Sequence, residues 1–468
     1  MKQNLKKLNE YEWELDKSTR SGMNVNAKII ANQKVLNAIE DEAINQLTNV
    51  AMLPGVLNPV IGMSDMHFGY GLPMGAVMAF DKEEGYISSG CTGFDINCGI
   101  NSIKTNLPYS EVKLKLKELI SELFKTIPCG VGSKGKLKLQ NSELDEVLTK
   151  GVNWAVKNNY GTKEDIKNME ENGCMKGADP NKVSELAKKR GKPQLGTLGA
   201  GNHFLEIQKI SEIFDEKYAK ELKINNKDQV MIMVHCGSRG LGHQIASDYL
   251  KIHEKAVKKY NIKIPDRQLV GAPTNSQEGQ DYYKAMKCAV NYSFTNRLVM
   301  TQWIRETFEK VFNKTWQEME MDTVYAIAHN ITKIEKHKID NKEKEIYITR
   351  KGATRSFPNT PALIAGTMGT SSFICKGTET AMEKTFGSTV HGAGRAMSRT
   401  AAIKSFKGNQ IQRDMEKKGI IAKATNPKVL AEEAPSAYKN VLDIIDSVHN
   451  AGISLKTIKL EPIGVCKG

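Results

Sequence analysis

No run of 18 apolar residues occurs in this chain, so no segment reads as a membrane-spanning helix and no membrane partner is expected. The opening residues MKQNLKKLNEYEWELDK are basic and polar and lack the apolar stretch of a secretion signal, which predicts a cytoplasmic protein. CxxC spacing is missing. Cys91, Cys98, Cys129, Cys174, Cys236, Cys288, Cys375 and Cys466 are scattered, which argues against a disulfide framework or a zinc ribbon and predicts mostly buried small hydrophobes. Low-complexity tracts, Pro/Gly/Ser linkers and fixed-period repeats are also lacking, so a single interleaved domain over residues 1–468 is expected, by default a monomer. Acidic residues are in short supply: 53 Asp and Glu face 67 Lys and Arg, for a net charge of +14. That excess suits a polyanionic partner, nucleic acid above all. Part of it belongs to solvated helix faces, as at Lys113, Lys115, Lys117, Lys258 and Lys259, so charge alone does not decide.

What is present is an ordinary globular composition, 40% hydrophobic and 26% charged. Helical periodicity runs from Asn26 to Asn49, from Ser110 to Thr126 and from Gln280 to Phe312. Strand-like runs occupy Gln229 to His235, Thr323 to Ala328, Lys344 to Thr349 and Thr457 to Leu460. The alternation predicts an α/β (mixed α+β) fold with a central mixed sheet and long helices. QVMIMVH stops on His235 before CGSRGLG, and TVYAIAHN stops on His329, which puts both imidazoles at strand ends, where active sites of such folds collect.

Short glycine-flanked blocks hold the chemistry: GFDINCG with Asp95 and Cys98, GNHFLE with His203, VHCGSRG with His235, AHN with His329, and VHGAGR with His391. A lone histidine at a strand end is more often a hydrogen-bonded core residue than a ligand. Together, however, Asp95, Cys98, His203, His235 and His329 offer a carboxylate, a thiolate and three imidazoles, enough to share two ions with Cys98 bridging and positions left open for substrate. Sulfur and imidazole by themselves favour zinc over manganese. In STVHGAGRAMSR, Gly392 and Gly394 open the backbone, Arg395 and Arg399 add positive charge, and AMSRTAAIKSF reads as a helix whose N-terminus would face an anion. There His391 either attacks phosphorus or donates a hydrogen bond to a bound phosphate.

Two nucleotide motifs are decoys. Residues 130–135 spell GxGxxG and residues 130–136 open like a Walker A loop, but the preceding SELFKTI looks helical and Leu137 stands where a Mg-binding Ser or Thr belongs. The KxDG motif of lysine-dependent nucleic-acid ligases is absent.

Over essentially its whole length the chain resembles the RtcB-type RNA ligases, through LPGVLNPVIGMSDMHFGYGLPMGAV, GFDINCG, RGKPQLGTLGAGNHFLEI, HCGSRGLGHQIASDYL, AHN, RKGATRSFP, GTMGTSSF, FGSTVHGAGRAMSR and the terminal PIGVCKG. The resemblance implies one α/β domain of RtcB type that joins RNA ends bearing a 2′,3′-cyclic phosphate or 3′-phosphate to 5′-hydroxyl ends, using GTP and two manganese ions. It makes His391 the residue that takes GMP from GTP as a phosphoramidate and passes it to the RNA 3′-phosphate. Asp95, Cys98 and His203 would hold one manganese, and Cys98, His235 and His329 the other; the implied manganese replaces the zinc suggested by ligand softness. Guanylate contacts are implied for Asn202, His203, Phe204, Leu205, Glu206, His329, Asn330, Ala365, Gly366, Thr367, Met368, Ser372, His391, Gly392, Ala393, Gly394, Tyr438 and Lys467, the last requiring the C-terminal tail to fold back into the site. Arg190, Arg239, Lys351, Arg395 and Arg399 are implied contacts to RNA phosphates or the triphosphate. Gly90-Cys91-Thr92-Gly93 and Asn101 depart from the family pattern beside the metal block and bear on local RNA contacts. Substrates expected are tRNA halves or other cleaved RNA, with an activating protein left open. The rivals are a dimetal phosphodiesterase or phosphatase acting on RNA termini, and a non-enzymatic RNA-binding protein.

Overall fold

In the computed structural model, which describes residues 1–468, helices and strands alternate as an α/β fold should, and most strands divide over two large mixed sheets, with two further two-stranded sheets, Tyr86–Ile87 with Ala272–Pro273 and Ala353–Arg355 with Ser388–Val390. One sheet orders its strands Lys6–Lys7, Glu12–Leu15, Ala27–Ile30, Val60–His67, Met74–Asp81, Lys342–Lys351 and Asn330–Ile339. The other runs Thr323–Ala328, Gly99–Pro108, Gln229–Cys236, Phe204–Ile213, Ser454–Lys467, Ser372–Gly377 and Pro361–Ile364, with Ile421–Ala424 parallel to the end of Ser454–Lys467. No helix is long and apolar enough to cross a membrane.

The expected helices near 110–126 and 280–312 form as Tyr109–Thr126 and Gln277–Phe312, and every expected strand is present, three of them within longer strands. The expected helix over 26–49 does not form as one piece. Ala27–Ile30 is a strand, followed by the helices Gln33–Ala38 and Asp41–Val50. The Asn32 side chain accepts from the Val35 N–H at 2.8 Å and so caps the helix at residue 33, leaving the β-branched Ile29 and Ile30 to pair with Trp13 and Glu12. Cys129 and Cys174 are half-buried and the other six cysteines are buried.

At 36 residues, Gln277–Phe312 spans about 54 Å and is buried along most of its length, polar positions included. Its Arg305 donates to both carboxylate oxygens of Asp165 at 2.8 Å and to the Met321 carbonyl at 2.9 Å, while Thr323 donates to the same carboxylate at 2.6 Å. The helix is thereby locked to the strand leading to His329. Arg305 and Asp165 are both almost wholly buried, so Arg305→Met would strand a carboxylate in the core. The expected loss is about 3–5 kcal/mol of unfolding free energy, read from urea denaturation, whereas Lys314→Met, which removes a half-exposed pair with Glu111, changes little.

Candidate active site

Strand register assembles the site. Gly99 pairs with both Ala328 and Cys236, and His235 pairs with Phe204. These strands are antiparallel neighbours, so the end of one lies beside the start of the next. His329, Cys98, His235 and His203 therefore reach one sheet edge at successive strand spacings of about 4.8 Å. Beneath them the buried Arg297 of the long helix donates to the carbonyls of Asn97 (2.9 Å), Cys236 (2.8 Å) and Ile327 (3.4 Å), tying the three ligand-bearing segments together. Asp95 hangs from the preceding loop, its Oδ1 accepting from the Ser238 N–H at 3.0 Å. A Cβ at Gly237 would overlap that carboxylate, so only glycine fits there.

The donor atoms fall into two sets, Cys98–His235–His329 and Asp95–Cys98–His203, each with all its atoms within 4.8 Å of one another. Cys98 Sγ lies 3.2 Å from His235 Nε2 and 3.4 Å from His203 Nε2, which is 2.8 Å from Asp95 Oδ2. His235 Nε2 and His329 Nε2 are 3.1 Å apart. Burial, then neighbouring positive groups, hold both of these imidazoles well below their ordinary range, hence neutral. The Asn202 carbonyl, 3.1 Å from His235 Nδ1, fixes that hydrogen on Nδ1 and leaves Nε2 with its lone pair facing the other donors. Burial would lower His203 and raise Asp95, but Cys236, Cys98 and Asp95 raise His203 well above its usual value, and His203 lowers Asp95 to about 2. Burial and then Asp95 push the Cys98 thiol up to about 12. Cys98 and the His203–Asp95 pair keep protons here that a divalent cation would displace on binding, and nitrogen, sulfur and carboxylate donors fit zinc or manganese.

Beside this cluster lies a cleft of about 200 Å³. Its lining includes Asn202, Phe204, His235, Ala365, Gly366, Thr367, Met368, His391, Gly392, Ala393, Gly394, Arg395, Arg399, Tyr438 and Lys467, so most positions singled out in the sequence meet here. Lys467 arrives at the end of the central strand Ser454–Lys467, paired with Phe204, and no separate tail folds back. Its ammonium stands 3.7 Å from Glu433, which also accepts from Arg395 at 3.1 Å.

The remaining positions lie elsewhere. Leu205 packs its side chain into the core on the opposite sheet face. Asn330 braces the metal loop, donating to the Asp95 carbonyl at 3.1 Å and accepting from the Gly352 N–H at 2.9 Å. Ser372 accepts from the Gly366 N–H at 3.0 Å. Glu206 is buried below the cleft floor, accepting from Gln208 at 2.8 Å on one oxygen and unpartnered on the other; burial pushes its carboxyl up to about 8. Lys351 is buried and donates to the carbonyls of Tyr70 and Gly90, so its charge faces inward. Arg190 and Arg239 lie outside the cleft lining. The departures at Cys91, Thr92 and Asn101 are all core positions; Asn101 donates to Thr301 at 2.6 Å on the long helix.

Sequence reasoning missed Asp65. Its fully buried carboxylate is 2.6 Å from His391 Nδ1 and accepts from the His391 N–H at 3.0 Å and the Gly392 N–H at 3.4 Å. An ionisable residue inside the apolar strand Val60–His67 is costly without a partner, and that was the available signal. Gly394, at φ +66°, lets the backbone pass against the Asp65 carbonyl, where a Cβ would collide. The His391 and His329 ring centroids are 5.0 Å apart, so the dyad abuts the metal cluster. His67, Met74 and Glu433 also line the cleft and were not anticipated.

A shared thiol has a measurable consequence. Titrating Mn²⁺ into His329→Ala is expected to remove one of two binding events, whereas Cys98→Ala weakens both by more than the roughly 10–100-fold typical of lost outer partners. An unchanged two-ion titration in Cys98→Ala would show that the sulfur is not shared.

Comparison with known proteins agrees with this geometry. A family model described as tRNA-splicing ligase RtcB matches residues 46–468. A protein of that name from Methanococcus maripaludis is 50% identical over 481 aligned residues, covering 100% of both chains. Those from Archaeoglobus fulgidus and Thermococcus kodakarensis are 48% and 47% identical, each covering 99% of both chains. With candidate metal ligands gathered at the strand ends, an aspartate-held histidine and matches along its full length, this chain belongs to the RtcB family.

Proposed function

We propose that this protein is an RNA ligase that joins ends bearing a 2′,3′-cyclic phosphate or 3′-phosphate to 5′-hydroxyl ends, with GTP as guanylyl donor. The observation that carries the reading is the Asp65–His391 dyad. With Nδ1–H donated to a buried carboxylate, His391 keeps its Nε2 lone pair free, the tautomer a nucleophile needs. A phosphatase would use the metal cluster but has no need of a histidine oriented in this way.

In the first step, His391 Nε2 attacks the α-phosphorus of GTP; a P–N bond forms and pyrophosphate leaves. Asp65 stabilises the positive charge that develops on the ring. Where the RNA ends in a 2′,3′-cyclic phosphate, water first breaks the P–O2′ bond to give the 3′-phosphate and a 2′-hydroxyl; the GMP moiety then passes to a 3′-phosphate oxygen, breaking the P–N bond and freeing His391. Finally the 5′-hydroxyl attacks the activated 3′-phosphate and GMP departs. Asp95, Cys98, His203, His235 and His329 would hold two manganese ions, which supply Lewis-acid neutralisation of phosphate charge and a lowered hydroxyl pKa when bound. Gly392 and Gly394 let the backbone approach the nucleotide, and Lys467 and Arg395 supply positive charge in the cleft. The relatives' name points to cut tRNA halves; the end chemistry serves any RNA with those termini.

GTP labelled at the α-phosphate, incubated with protein and Mn²⁺ and run on a denaturing gel, tests this directly. Wild type is expected to retain label, and His391→Ala to retain none. Asp65→Asn presents an amide that no longer fixes the tautomer, and should slow labelling on the order of 10²-fold or more. Wild type that stays unlabelled while removing terminal phosphates would make the protein a hydrolase.

A further inference from the structure

The glycine-rich segment that imitates a P-loop follows the helix Tyr109–Thr126, so it is not one, yet it is held firmly in place. The Leu198 N–H donates to the Pro128 carbonyl at 2.9 Å, Gly130 to Leu198 at 3.0 Å, and Gly135 to Pro193 at 2.7 Å. Arg239 clamps it from the site side, donating to the Gly130 carbonyl at 2.8 Å, Ser133 Oγ at 3.3 Å and Thr197 Oγ1 at 3.0 Å. Arg239 directly follows Ser238, whose N–H binds Asp95, so this loop is two contacts from a candidate metal ligand.

Beyond its clamped base the loop faces water. Val131 at the tip is 91% exposed. Lys134, Lys136 and Lys138 are all exposed and alternate with the buried or half-buried Gly135, Leu137 and Leu139, which sets the three ammonium groups on the solvent side. Nearby Lys182 and Lys188 pair with Asp281 and Asp145, but these three lysines meet no carboxylate. The row continues through Lys192, next to the Gly135 partner Pro193, and Arg190, packed against Gly240; their side-chain partners are the neutral Asn141 and Gln244. A row of unneutralised like charges repels itself, and covering it with a polyanion relieves that cost. Cations nearer the cleft are already committed: Arg395 to Glu433, Arg399 to Glu432, Lys351 to backbone carbonyls.

We propose that residues 130–138 are a docking track for the RNA backbone on the Asp95–His203 side of the site, with Lys134, Lys136 and Lys138 contacting phosphates and Lys192 and Arg190 extending the track. The proposal rests on the RNA ligase reading above and adds to it the surface that receives the strand.

The test compares wild type with Lys134→Ala/Lys136→Ala/Lys138→Ala by fluorescence anisotropy on a 3′-phosphorylated RNA oligonucleotide across a salt series. The triple variant is expected to bind at least tenfold more weakly, with the slope of log K against log salt reduced by about 2, as three lost phosphate contacts on a single strand require. The corresponding triple arginine variant is expected to restore both. Labelling by GTP without RNA is expected to be unchanged. Lys136 also lies 5.0 Å from the Trp303 ring, so Lys134→Ala/Lys138→Ala serves if the triple variant melts early, with a slope change of about 1.4. Wild-type affinity and salt slope in the alanine variants would overturn the proposal. Failure of wild type to label with GTP would instead remove the ligase mechanism, while the RNA comparison still judges the lysines.

Discussion

The site depends on the register of antiparallel strands. Where neighbouring strands run in opposite directions, a residue just before one and a residue just after the next share a sheet edge, whatever their separation in sequence. Cys98, His203, His235 and His329 span about half of the chain and still meet, because Gly99 faces both Ala328 and Cys236 and because Phe204 faces His235. A one-residue slip in any of these pairings would turn a ligand to the opposite sheet face, and the hydrophobic cores on both faces resist such a slip.

Gathering donors costs free energy that the surrounding fold must offset. Two neutral imidazoles with their Nε2 atoms 3.1 Å apart, beside a thiol and a carboxylate, would separate if the segments bearing them were free. Arg297 prevents this from below by binding the carbonyls of three separate segments, and Asn330 holds the Asp95 loop from the side. The long helix that supplies Arg297 also supplies Arg305, whose pair with Asp165 fixes the strand before His329. One helix thus works as the common brace for ligands it does not itself contribute. His391 comes from a different arrangement: its segment bridges to Ala365 at the edge of one sheet, while its carboxylate partner Asp65 belongs to the other sheet. The dyad therefore couples the two sheets where they meet.

Much of this was legible in the sequence, because the blocks carrying the ligands are short, glycine-flanked and placed at the ends of strand patterns. The residues that escaped notice escaped for identifiable reasons. Asp65 carries no local motif; it is one carboxylate in an apolar strand, and its meaning lies in a partner 326 positions away. The supposed helix over 26–49 shows the limit of periodicity: apolar residues recur at helical spacing throughout, but the Asn32 cap and the strand pairing of Ile29 and Ile30 divide the segment. Lys351 and Asn101 sit beside site blocks in sequence, yet alternation along a strand turns both side chains into the interior. Proximity in sequence to a functional block therefore says little about which face of the sheet a side chain occupies.

The distribution of positive charge follows the same logic. A net charge of +14 suggests a polyanion, but the basic residues closest to the cleft are mostly consumed by the protein itself. Arg395 is bound by Glu433, the Glu432 carbonyl and the Met397 carbonyl, and Lys467 stands against Glu433. Such groups can present fixed, oriented charge to a small nucleotide, because their geometry is already set before it arrives. A long polymer needs the opposite: flexible, solvated cations whose counterions can be released. Those lie outside the cleft, on the loop that Arg239 joins to the metal-site segment. On the proposed ligase reading, preorganised cations inside would place the nucleotide to a fraction of an ångström, and solvated ones outside would capture the RNA strand.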